Sequence, residues 1–286
     1  MTTRLPVRKT YKLYLGGALV RSESGRHQVI RDHADTAVAN VPLSSRKDVR
    51  DAVKAARAAF DPWASRTAYN RGQVLYRCAE ALESRAGEFT DASVRDRGVA
   101  TAAARAEVAD AVDLLVHYAG WTDKLAAVLG TINPVAAPYH SFTAPVPTGV
   151  VAVLAPDEPD LLGLLAEVAP ALAAGNTVVV LVSQHWPRRA LDLGEVFLAS
   201  DIPAGVVNLL SGSRDELVDP LAGHRDVNAV VDATADETLR ARVDLLAAET
   251  VTRVVRPGPA TALPTGSLTR LEALVEQRTG WHPVGV

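Results

Sequence analysis

The sequence predicts an α/β fold, a parallel sheet covered by helices on both faces. Three observations carry that prediction. Residues 150–155 form an apolar run without alternation, as expected of a strand buried on both faces. Leu161, Leu164, Leu165, Val168 and Leu172 then recur at helical spacing, and Gly175 stands where a left-handed helix stop is wanted. A β-branched run at 177–182, a helical pattern at 188–199 and a short apolar run at 206–210 behind Pro203 and Gly205 complete the unit. Strand–helix–strand–helix–strand builds parallel strands joined by right-handed crossovers.

The remaining elements follow in order. Residues 11–20 read as two short strands around Gly16-Gly17, a pair that tolerates positive φ in a tight turn. Ser44 or Ser45 caps a helix whose apolar face is Val49, Ala52, Val53, Ala56 and Phe60, with Pro62-Trp63 ending it. A second helix begins near Tyr69 and turns Leu75, Cys78 and Leu82 to one side. A third spans 101–124 with Val108, Ala111, Leu115 and Tyr118 inward. Residues 131–149 are rich in proline and make a poor independent strand, because each proline lacks a ladder donor. Beyond them the pattern gives a helix at 215–222, a strand at 226–231, a helix at 236–248 and a strand at 250–255. Residues 257–266 have linker composition.

Length and charge narrow the function. A chain of 286 residues buries a full α/β core. A net charge of -3 with intermixed signs argues against nucleic acid or an anionic membrane as partner. One cysteine excludes an internal disulfide framework and fits a reducing compartment. With no signal-peptide core or membrane-length apolar run, a cytoplasmic location is expected.

The wording of the chain is more specific than its pattern. Ala169-Pro170-Ala171-Leu172-Ala173-Ala174-Gly175-Asn176-Thr177-Val178-Val179, followed by Pro203-Ala204-Gly205-Val206-Val207-Asn208, resembles the cofactor-binding domain of the aldehyde dehydrogenase superfamily. Tyr118-Ala119-Gly120-Trp121-Thr122-Asp123-Lys124 is similar to the same superfamily, and Leu274 to Pro283 resembles its extreme C-terminus. The resemblance implies a Rossmann-like sheet over 150–256 joined to an N-terminal helical part at 1–130. It also implies an oligomerisation arm at 131–149 with 267–286, the linker at 257–266 standing in place of the catalytic domain.

The departures fall on the positions that do the family's work. The family's Trp-Asn-Phe-Pro after the first strand, with an Asn that helps stabilise an oxyanion, is Asp157-Glu158-Pro159-Asp160 here. Its Lys-Pro-Ser-Glu, which holds the adenosine ribose, is Leu181-Val182-Ser183-Gln184, so only Ser183 survives as a vestigial cofactor position. Asp232-Ala233-Thr234-Ala235 replaces Phe-Thr-Gly-Ser, Leu239 stands where a second glycine is usual, and Val254-Val255-Arg256-Pro257-Gly258 replaces the phrase with the general base.

Each candidate group also has a plain reading. Cys78 lies on the apolar face of an early helix and reads as a small core residue. The histidines at 27, 33, 117, 140, 185, 224 and 282 show no paired metal spacing. Asp157, Glu158 and Asp160 could form a cation site or an acid–base pair, but read better as a solvated loop that repels a pyrophosphate. Ser183 belongs to no triad order or nucleophile elbow. No GxGxxG or P-loop pattern occurs.

The expectation is a catalytically inactive aldehyde dehydrogenase-like protein with no catalytic, metal or cofactor residues. It would act as a structural or regulatory subunit with a full-length aldehyde dehydrogenase homologue. Tyr139, Phe142, Val146, Leu274, Arg278 and Trp281 are its expected interface residues. The alternative is an NAD or NADP binder, or a small-ligand binder, with residual or altered activity.

Overall fold

A computed structural model of the chain describes residues 8–258 and 268–285. Strands β1 (Leu13–Leu15) and β2 (Ala18–Val20) form the first hairpin. Its turn needs glycine twice over: Gly16 and Gly17 hold φ of +60° and +80°, and a Cβ on Gly17 would lie 2.7 Å from Ala204. A second hairpin, β3 (His27–Arg31) with β4 (Ala37–Pro42), was not expected from the sequence. Its strands are half exposed and mix polar with apolar residues, so little alternation shows.

Helix α1 (Arg46–Ala64) starts at a capping box. The Ser45 side chain accepts from the Asp48 N–H, and Asp48 accepts from the Ser45 N–H at 2.8 Å. The helix does not end at Pro62-Trp63 but runs through Pro62 to Ala64, with the wholly buried Trp63 packing its last turn. Helix α2 (Ala68–Glu83) buries Leu75, Cys78 and Leu82 as expected. Helix α3 (Ala86–Arg97) escaped the sequence reading because its inward face is Phe89, Thr90, Ser93 and Asp96, three polar residues in four. Helix α4 (Thr101–Ala119) stops short of the expected Lys124. There the Thr122 hydroxyl donates to the Ala119 carbonyl at 2.9 Å and the turn closes on Gly72 of α2. Helix α5 (Leu125–Leu129) follows, then strands β5 (Thr131–Asn133) and β6 (Tyr139–Pro147).

The parallel unit is laid out as predicted: β7 (Val150–Leu154), α6 (Asp160–Ala173), β8 (Thr177–Leu181), α7 (Pro187–Ala199) and β9 (Val207–Leu210). It continues through α8 (Arg214–Ala222), β10 (Ala229–Asp232), α9 (Glu237–Thr250) and β11 (Arg253–Val255). The last elements are α10 (Leu268–Glu272) and β12 (Val275–Pro283). The main sheet has the order β11-β10-β7-β8-β9-β1-β2, parallel from β11 to β9 and antiparallel at the β1–β2 edge. Every residue of β7 and β8 is buried. One face packs under α2, α4, α6 and α7 and the other under α1, α8 and α9, which explains why these strands show no alternation. Among the described residues no helix is long and apolar enough to cross a membrane.

Two asparagines from the recognisable phrases are structural pins. Asn208 accepts the Gly16 N–H at 2.9 Å and donates to the Gly205 carbonyl at 2.8 Å, fixing the first hairpin to the sheet. Asn176 accepts the Gly149 N–H at 2.8 Å and donates to the Leu274 carbonyl at 2.9 Å. The second bond ties the C-terminal segment to the body.

That segment completes a three-stranded sheet, β12-β6-β5. Strand β12 runs antiparallel to β6 from Val275↔Pro147 to Pro283↔Tyr139. Its root is anchored by charge. Arg270 donates to Glu167 of α6 at 3.1 Å and to the Gly258 carbonyl at 2.9 Å, and Arg253 donates to the Ala273 and Val275 carbonyls at 3.0 Å. Leu274, expected at an interface with another chain, is instead only 2% exposed, packed in this chain's own core. Of the expected linker at 257–266, Pro257 and Gly258 are described and 259–266 lies outside the described residues.

Burial pushes the Glu167 carboxyl from 4.5 up to about 7, against the pull of Arg270. A raised carboxyl means that the folded state favours the protonated form. Its contribution is full below about 4.5 and lost as pH rises through about 7. The unfolding free energy of the native chain, measured against that of Glu167→Gln, should therefore grow by up to roughly 3 kcal/mol on acidification across that window. A constant difference between the two proteins would show that Glu167 titrates as an exposed glutamate does.

Candidate functional site

In an open parallel sheet, ligands sit outside the carboxyl ends of the strands, near the point where strand order reverses. Here the order reverses between β7 and β10. The loops after β7, β8, β9 and β10 therefore frame the candidate site, and two clusters of charge stand among them.

The first cluster joins three strand ends. Arg214, the first residue of α8, grips Asp157 after β7 through both guanidinium nitrogens, at 2.8 and 2.9 Å, and also donates to the Ala155 carbonyl at 2.7 Å. Ser183, after β8, donates its hydroxyl to Asp157 at 2.6 Å and accepts the Trp186 N–H at 2.9 Å. Gln184 accepts the Arg214 N–H at 3.0 Å. Burial works to raise the Asp157 carboxyl, but hydrogen bonds from Arg214 and Ser183 together outweigh it and hold it below the ordinary carboxylate range.

The second cluster lies at the start of α6. Asp160 is 2% exposed and receives Arg189 at 2.9 Å and Arg97 at 3.0 Å. Glu107 of α4 takes Arg189 at 2.8 and 2.9 Å and accepts the N–H groups of Leu161 and Leu162 at 3.2 and 3.4 Å. It thus caps the first turn of α6 from another helix. Alongside, Arg188 pairs with the buried Asp96 and donates to the Tyr11 hydroxyl at 3.2 Å. Desolvation pushes the Asp160 and Asp96 carboxyls upward despite these arginines.

These clusters correct the expectation of a solvated acidic loop after β7. Asp157 and Asp160 are each held by arginine, and only Glu158, 3.6 Å from Arg97, keeps its carboxylate largely in solvent. The arginines lie 29 to 63 residues away in sequence. Arg97, Glu107, Arg189 and Arg214 were therefore missed, and no local signal marked them.

The other candidates are placed as follows. Leu181, where the family's lysine would stand, is wholly buried in the core on the α1 and α8 side. Ser183 is committed to Asp157 and Trp186. Cys78 is buried on α2, its thiol donating to the Ser200 hydroxyl at 3.0 Å and pushed up to about 12 by burial. Helix α7 runs back from the carboxyl end of β8, so Ser200 at its far end, and Cys78 with it, lies toward the amino-terminal ends of the parallel strands. Among the described residues no group of three or more His, Cys, Asp or Glu could hold a metal ion.

Between the loops after β7 and β10 lies a crevice of about 250 Å³, with Pro156, Glu158, Glu167, Thr234 and Arg240 among its lining residues. Below it the wholly buried Asp232 accepts from the Thr234 N–H and hydroxyl at 3.0 and 2.6 Å, folding the turn that follows β10.

On the arm, Tyr139 and Trp281 are 46% and 59% exposed and meet edge to face at 6.2 Å. Phe142, Val146 and Arg278 occupy the opposite face by register, with Phe142 stacked on His282 at 5.6 Å. Among the described residues the outer edge of β12 is unpaired.

Comparison with known proteins agrees with this geometry. The Aldehyde dehydrogenase family matches residues 19–256. The chain is 34% identical over 233 residues to the cytosolic 10-formyltetrahydrofolate dehydrogenase of Mus musculus, covering 79% of this chain and 26% of that protein. It is 33% identical over 231 residues to the mitochondrial aldehyde dehydrogenase family 2 member B4 of Arabidopsis thaliana, covering 79% and 42%. An NAD+ complex of an aldehyde dehydrogenase from Bacillus cereus superposes with a TM-score of 0.83 at 26% identity, covering 87% of this chain and 50% of that one. The chain thus spans half or less of the proteins it matches. It belongs to the aldehyde dehydrogenase family.

Proposed function

We propose that this chain is a catalytically inactive member of its family, serving as a structural or regulatory subunit in an oligomer with a full-length aldehyde dehydrogenase homologue. The observation that carries the proposal is the arm. Strand β12, which follows α10, completes it and, among the described residues, leaves a nine-residue edge unpaired beside exposed Tyr139 and Trp281. An unpaired edge with apolar side chains in water is an aggregation liability unless something covers it. Phe142, Val146 and Arg278 on the other face complete the proposed contact, with Trp281 as its anchor.

The strand ends support the inactive half of the reading. Oxidation through a thiohemiacetal needs a thiolate at the site, and Cys78 is buried beside Ser200, away from the carboxyl ends of the strands. A dinucleotide fits these strand ends poorly: Leu181 offers no charge to a ribose, Gln184 is engaged, and Arg214 with Asp157 stands across the loops. Each lost charge-assisted hydrogen bond weakens binding by about 1.5–3 kcal/mol. Two such losses amount to roughly two to four orders of magnitude in affinity.

A second reading, a small-ligand binder with altered activity, draws on the crevice beside Glu167 and on the NAD+ held by the structural relatives. Its volume of about 250 Å³ suits a compact molecule better than a dinucleotide.

The purified chain should oxidise no aldehyde with NAD or NADP; cofactor-dependent turnover that disappears in Cys78→Ala would overturn the inactive reading. Calorimetry on the native chain should show no micromolar affinity for NAD. Co-expressed with a full-length homologue, the chain should co-purify with it, and Trp281→Ala should abolish that association while leaving thermal unfolding of the body unchanged. Retention of the complex at undiminished affinity would remove Trp281 from the interface.

A further inference from the structure

We propose that Arg214, held by Asp157, is an autoinhibitory bar across the strand-end site, and that this pair keeps nucleotides out of it. The inference rests on the closed-site part of the proposed function and goes beyond it by assigning the closure to one ion pair.

The geometry is that of a built tie, with both partners largely withdrawn from water. The Arg214 side chain is 14% exposed and that of Asp157 30%. The guanidinium starts from the first turn of α8, beyond β9, and ends on the carboxylate and carbonyl beyond β7. Ser183, beyond β8, braces the same carboxylate. Three neighbouring strand ends are therefore joined through one side chain.

The start of a helix after a parallel strand usually aims its free N–H groups and positive dipole end at an anion. Here that arrangement is cancelled from within. Gln184 takes the Arg214 N–H, Asp215 and Glu216 stand in the first turn of α8, and Asp157 takes the guanidinium. A phosphate approaching these loops meets a carboxylate whose arginine is already used. Burial acts to raise that carboxyl, and the hydrogen bonds from Arg214 and Ser183 outweigh it and hold it below the ordinary carboxylate range.

Removal of Asp157 has two consequences. It clears the carboxylate from the path of an anion, and it frees a guanidinium already aimed across the strand ends. Removal of both residues clears the path but leaves no cation. Affinity for a nucleotide should therefore rank Asp157→Ala first, the double variant Asp157→Ala with Arg214→Gly second, and the native chain last.

ADP-ribose, with AMP as a shorter probe, tests this by calorimetry on the full chain. The native protein should show no saturable binding in the millimolar range. Asp157→Ala should bind ADP-ribose, and the double variant should bind it about ten- to a hundred-fold more weakly, the value of one bidentate arginine–phosphate contact. Thermal unfolding establishes that each variant is folded. Should Asp157→Ala not fold, Asp157→Asn replaces it, keeping one acceptor oxygen for Ser183 and a single Arg214 nitrogen while removing the charge; it too should bind more tightly than the native chain. If the folded variants bind no better than the native protein, and none binds, the bar is overturned while the closed-site reading stands. If the native chain binds ADP-ribose as tightly as Asp157→Ala, the bar is overturned and the closed site with it.

Discussion

Helix α6 is buried along almost its whole length, and the rest of the molecule is arranged around that constraint. A helix that enters the core cannot leave its first N–H groups to water. In this chain they are answered from α4, whose Glu107 carboxylate accepts from Leu161 and Leu162. A carboxylate so placed needs a counter-charge, which Arg189 of α7 supplies, and Arg189 in turn holds Asp160 at the start of α6. Arg97, from the end of α3, closes the ring. Four elements are thereby locked at one point. Loss of a single partner would leave a buried charge uncompensated, at a cost of about 3–5 kcal/mol.

The same point is the mouth of the site, so stability and chemistry compete there. A site that binds anionic ligands keeps its helix starts and donors free. Here Glu107, Asp160, Asp157 and Gln184 occupy those donors with groups of the chain itself. The departures from the family's phrases are then more than losses. Asp157 and Asp160 each gain an arginine partner, and Ser183, the one retained residue of its phrase, works inside the new network.

The sheet was largely legible because its signals are local. Unbroken apolar runs at β7 and β8, helical spacing in α6 and Gly175 behind it set the order of elements without long-range information. What escaped was what depends on distant partners. Helix α3 turns Thr90, Ser93 and Asp96 inward, and Asp96 is buried against Arg188, so the hydrophobic pattern is silent there. The extra length assigned to α4 had a similar origin: the stop at Gly120 is made by a close approach to Gly72, which no stretch of sequence displays. At the site the acidic residues were visible and their environment was not. Their arginines lie far off along the chain, and a carboxylate in a loop is ordinarily solvated.

The C-terminal segment shows how a shortened path through the fold remains consistent. Where β11 ends, Gly258 offers its carbonyl to Arg270, so the end of the parallel unit and the start of the tail lie side by side. Asn176, in the middle of the sheet, holds the Leu274 carbonyl, and Arg253 of β11 holds those on either side of it. Among the described residues, the tail thus takes its position from groups of the parallel unit and the arm. A body that places its own arm in this way can present the edge of β12 to a partner whether or not it keeps any chemistry of its own.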